Sequence, residues 1–198
     1  MQYVLFALFL MAALMLQAPP THATPLTFGG TLSGANEIPP VSSSGTGSVR
    51  VVLDPAAQTL ELDVTFSGLS SNDTAAHIHC CAPFGTNAGV ATTLPAFIGF
   101  PLGVTAGSLD QTFSLTDSTF YNPAFVTANG GTIAGAEAAL VAGIENDMTY
   151  FNIHTVNNPG GEIRSELFPV PEPASLALLG SVLLASGVMR RRRDTVQP

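Results

Sequence analysis

The 198-residue chain carries 14 acidic side chains, six arginines and no lysine, for a formal net charge of −8. Such a surface repels phosphate backbones and anionic headgroups, which excludes nucleic acid as a partner and leaves any lipid contact to the chain ends. Divalent cations and neutral glycans suit it better.

Val4 to Leu16 is an almost unbroken apolar run followed by Pro19-Pro20 and the small residue Ala23. It reads as a secretory signal occupying residues 1–23, since thirteen apolar residues fall short of the roughly 20 that a permanent span needs. Residues 24–168 then form one domain of ordinary size. Between the terminal signals, twelve acidic residues face only Arg50 and Arg164.

Leu26 to Gly34 reads as a strand, ended by Asn36-Glu37-Ile38-Pro39-Pro40 because proline cannot donate to a ladder. Val49, Val51 and Leu53 alternate next, up to Asp54-Pro55. Leu60, Leu62, Val64 and Phe66 alternate with Thr59, Glu61, Asp63 and Thr65, the pattern of a half-buried strand. After the Gly68–Asp73 turn comes Ala75-Ala76-His77-Ile78-His79-Cys80-Cys81. Residues 82–107 form a long Pro- and Gly-rich loop, suited equally to function or to covering an open end of the core. Leu109 to Leu115 alternates again. Ile133 to Ile144 alone has helical character and crosses between sheets. Met148–Thr155 and Glu162–Phe168 are the last strands, joined by Asn157-Asn158-Pro159-Gly160-Gly161. These elements predict an all-β fold: an antiparallel, Greek-key-like β-sandwich of about seven to eight strands with one short crossover helix.

Period-2 geometry sends Ile78, Phe151, Ile153 and Ile163 into the core and His77, His79, His154, Glu162 and Arg164 to the opposite face. Two imidazoles at i and i+2 are about 7 Å apart at Cα and suit one copper or zinc ion if a third ligand comes from a neighbouring strand. His154 is the candidate, with Glu162 as a further ligand or an acceptor that orients a ring. The same side chains also suit a hydrogen-bond network with Arg164 and Glu162 that pins two strands together. Phe97, Phe100, Phe120 and Tyr121 suit either a sugar-stacking platform or the core. No Gly-x-Ser-x-Gly motif occurs, and the chain is expected to be non-enzymatic.

Cys80 and Cys81 end the histidine strand. Neighbouring side chains on an extended strand diverge, so a bond between them requires a tight turn, which Pro83 and Gly85 make sterically natural. In an oxidising compartment an intramolecular disulfide is expected, with free thiols, bridges to a second chain and thiolate ligation as alternatives.

The tail changes character at Val170-Pro171-Glu172-Pro173. Ala174 to Met189 is uncharged, and Arg190, Arg191, Arg192 and Arg193 close it. Sixteen helical residues span roughly 24 Å, a short anchor against a core of about 30 Å, with its arginine end on the cytoplasmic side. In all three parts the tail, 169–198, resembles the PEP-CTERM sorting signal of exopolysaccharide-producing Gram-negative bacteria. The resemblance implies an exosortase as processing partner, a transient inner-membrane anchor and a destination at the cell surface or biofilm matrix. The body is similar to the CHRD domain in Leu32–Pro40, Ala76–His79, Asn152–Thr155 and Pro159–Arg164. That likeness implies a β-sandwich and an exported surface or matrix protein that binds exopolysaccharide or protein partners; the alternative is a metal-binding protein built on His77, His79 and His154. The His77-x-His79 strand is also similar to the copper-ligand strand of copper/zinc superoxide dismutase, although the chain lacks the bridging histidine and zinc loop of that enzyme.

Overall fold

A computed structural model describes residues 24–171. The expected secretory signal, and the tail from Glu172 through Arg193, lie outside the described residues. The strands are β1 Leu26–Ser33, β2 Thr46–Asp54, β3 Thr59–Ser67, β4 Asp73–Cys80, β5 Gly89–Val90, β6 Gly107–Ser114, β7 Thr149–Thr155, β8 Ile163–Glu166 and β9 Phe168–Pro169. Two helices, α1 Pro123–Ala128 and α2 Ile133–Glu145, fill the path from β6 to β7.

The all-β expectation holds, with one topological difference. The strands join into a single curled antiparallel sheet, a half-barrel ordered β5-β4-β7-β8-β1-β2-β3-β6, with β9 also on β1. The two halves stay hydrogen-bonded because β1 pairs with β2 along its whole length. Its other side meets β8 through Ser33–Arg164 and β9 through Phe28–Pro169 and Gly29–Phe168. The helices therefore connect edge strand β6 to interior strand β7 of one sheet and do not cross between separate sheets.

Alternation fixes the register. Leu53 lies opposite Leu60, Val51 opposite Leu62 and Val49 opposite Val64, all buried. A slip of one residue would expose this entire row. α2 begins where the Thr132 hydroxyl accepts from the Gly135 N–H and buries Ala136, Leu140, Gly143 and Ile144. The long 82–107 loop covers the core: Phe97 packs near Phe113, Phe120 and Phe151, and Phe100 stacks on Phe66. Phe97, Phe100, Phe120 and Tyr121 are all buried, so core packing is their use and no sugar platform forms there.

Candidate metal centre

β4 and β7 lie side by side, with His77 opposite Asn152, His79 opposite Tyr150 and Ala75 opposite His154. Directly opposed residues share a face of the sheet, so the three histidines converge, as their spacing predicts. One nitrogen from each of His77, His79 and His154 lies within 4.8 Å of the others. The closest approach, His77 Nδ1 to His154 Nε2, is 3.4 Å.

Backbone carbonyls orient two of the rings. His79 Nδ1 donates to Ala88 O at 2.9 Å and His154 Nδ1 to Pro159 O at 3.0 Å. This fixes the Nδ1–H tautomer and leaves each Nε2 as an acceptor, unpartnered in His79 and facing His77 Nδ1 in His154, the arrangement that outer hydrogen-bond acceptors give to metal-bound imidazoles. Nε2 of His77 and Nε2 of His79 are buried without a hydrogen-bond partner.

Burial, and then the neighbouring His154 and His79, push His77 down to about 3, with the Pro95 carbonyl opposing weakly. Burial likewise takes His79 down to about 4, against the Ala88 hydrogen bond, and lowers His154. All three rings are thus neutral at pH 7, the protonation state that binds metal.

Tyr150 backs the cluster. Its ring stacks on His79 at 4.6 Å, and β8 places the Arg164 guanidinium 3.3 Å from the ring centroid. Arg164 is fully buried and spends its donors on Glu166, the Asn87 side chain and the Thr86 carbonyl. It does not serve a network through the imidazoles.

Glu162 is not with the histidines. It accepts from Ser43 Oγ, Ser70 N–H, Ser70 Oγ, Thr155 Oγ1 and Asn158 Nδ2, at 2.6–3.2 Å. Burial alone would raise its pKa, but these donors hold the carboxyl down at about 2. It locks the β7–β8 turn to the Ser43 and Ser70 loops, and the metal role expected for it is withdrawn.

Cys80 and Cys81 bring their Sγ atoms together at the exit of β4, beside Ala139 O and against Gly143 of α2. Cys80 faces the core, opposite to His79, and is no ligand of this cluster. Sequence reasoning missed Tyr150, Asn152 and the two orienting carbonyls; the alternation Tyr150, Asn152, His154 was the available signal for the side chains.

The fold and its site define an antiparallel β-sheet domain with a neutral three-imidazole cluster, two of its rings buried and the third half-buried. Residues 28–167 match the CHRD domain, and residues 169–193 match the PEP-CTERM protein-sorting motif. The chain belongs to the CHRD domain family. The sorting motif indicates export and membrane-anchored sorting in Gram-negative bacteria, with processing by an exosortase. Comparisons with curated proteins and with solved structures give no match.

Proposed function

We propose that this exported CHRD domain is a copper- or zinc-binding module, non-enzymatic, that acts at the cell surface or in the extracellular matrix. The N-terminal run is cleaved near Ala23 on export, and Cys80 and Cys81 form a disulfide in the oxidising compartment they reach.

The carrying observation is the convergence of His77, His79 and His154 with two buried, unpartnered nitrogens. A tetrahedral ion at 2.0–2.1 Å from imidazole nitrogen needs its ligands about 3.3 Å apart. The 3.4 Å between His77 Nδ1 and His154 Nε2 already meets that requirement. A side-chain adjustment of little over an ångström brings in the third nitrogen from within its 4.8 Å limit. Without a metal, the buried Nε2 lone pair of His79 is an uncompensated desolvation cost; a metal ion bound through that atom satisfies it.

The test is metal content together with thermal melting. One copper or zinc ion per chain is expected, with about 2.7 kcal/mol of stabilisation at a hundredfold excess over Kd. Absence of bound metal, or the same shift in the His77→Ala/His79→Ala variant, overturns the reading.

A further inference from the structure

A second candidate site adjoins Glu166, the ion-pair partner of Arg164. A groove of about 520 Å³ is lined by Asn36, Glu37, Ile38, Ser165 and Glu166, with Phe84 and Phe168 among its walls. That volume is in the range of small-molecule sites. We propose that this groove binds a neutral glycan, with the two phenylalanine rings packing against sugar C–H faces and the Glu37 and Glu166 carboxyl groups taking hydroxyl hydrogen bonds.

Three observations choose the ligand class. First, Phe84 and Phe168 are 67 % and 42 % exposed, whereas the other phenylalanines among the described residues are buried. Their centroids are 5.6 Å apart and their planes tilted by 48°. Two apolar ring faces held at such a tilt in water offer a platform for a ligand with flat apolar faces.

Second, the polar groups in the groove are hydrogen-bonding rather than charged towards a ligand. Glu166 is already neutralised by Arg164. Glu37 is buried, has only a long 3.5 Å contact from Asn152 Nδ2 as its side-chain hydrogen bond, and burial pushes it up to about 7. Around neutral pH it can therefore donate as well as accept. Ser165 adds a hydroxyl.

Third, the acidic surface disfavours anionic chains, and with Glu166 paired to Arg164 the groove offers a cationic ligand no unpaired carboxyl other than Glu37. A neutral ligand rich in hydroxyls and bearing apolar faces satisfies all three conditions. The inference is independent of the metal reading, because none of the three histidines lines the groove.

The test is affinity electrophoresis of the purified exported protein in native gels containing hydroxyethylcellulose, dextran or galactomannan, with alginate as the anionic control. Retardation is expected in at least one neutral gel and not in alginate. It should weaken by about tenfold in the Phe84→Ala/Phe168→Ala variant. It should persist in His77→Ala/His79→Ala, which separates this site from the metal centre. Phe84→Ala alone, at the more exposed position, serves where melting shows the double variant to be unfolded. No retardation in any neutral gel, undiminished retardation in the phenylalanine variants, or equal retardation in alginate overturns the proposal.

Discussion

The Arg164 guanidinium rests on the ring of Tyr150 at 3.3 Å, and the same ring stacks against His79 at 4.6 Å from the neighbouring strand. A cation, an aromatic and an imidazole therefore form one stack across β8, β7 and β4. The stack ties the histidine cluster to the buried arginine of the domain.

That arrangement separates the two arginines of the domain by their worth. Arg164 and Glu166 pair with side chains 1 % and 11 % exposed, whereas Arg50 and Glu61 pair at 49 % and 38 %. Arg164→Ala strands Glu166, Asn87 Oδ1 and the Thr86 carbonyl and is expected to cost about 3–5 kcal/mol. Arg50→Ala should cost less than about 1 kcal/mol. Urea denaturation of the two variants checks this, and equal losses would contradict the packing described.

Glu162 and Glu37 should have opposite pH signatures. The folded pKa of Glu162 lies below its ordinary 4.5, so its stabilisation is present above about 4.5 and disappears as pH falls towards 2. The stability gap between wild type and Glu162→Gln should therefore close on acidification. The folded pKa of Glu37 lies above 4.5, so folding is penalised increasingly as pH rises from about 4.5 through 7. Glu37→Gln should gain on wild type over that interval, by roughly 3 kcal/mol. Denaturation midpoints at pH 3, 5 and 8 distinguish the two cases; parallel curves would show that these carboxyl environments are wrong.

Gly143 should resist replacement even though it lies inside a helix. Alanine there would ordinarily gain about 1 kcal/mol. Its Cβ, however, would run into Cys80 Sγ and crowd Cys81 Sγ and the Thr149 methyl. Gly143→Ala is expected to lower stability by about 1–3 kcal/mol. A raised melting temperature would mean that α2 does not sit on the cysteines.

The sorting motif predicts the mature C-terminus. Intact mass of surface-extracted protein is expected to lack residues beyond about Pro173 and, without reduction, to be two hydrogens lighter than the dithiol. Recovery of Arg190 to Arg193 in the surface form, or two alkylatable thiols, rejects the corresponding half of this expectation.

Much of this was legible in residue alternation. Leu60 to Phe66 could take only one register, and the parity of His77, His79 and His154 placed them on one face without knowledge of the partner strands. Glu162 has the right parity too, yet it precedes β8, and the hydroxyls of Ser43, Ser70 and Thr155 compete for it. Those donors come from loops, where no period reports which way a side chain turns. α1 spans too few residues to show a helical period, although Asn122 caps it and Pro123 opens it. The single sheet leaves no signature in the sequence because it depends on pairings of one and two residues beside β1. Ala88 orients His79 from just before a two-residue strand, and a carbonyl leaves no trace in side-chain pattern.

The short pairing of β9 with β1 also determines how the domain hangs. The Val170 N–H donates to Thr27 O at 2.8 Å, and Thr24, Pro25, Pro169 and Val170 line one shallow hollow. The chain thus enters and leaves the domain at one pole. Thr24 and Val170, close to the first and last described residues, therefore share one pole, so an attachment made through either end holds the folded body from the same side.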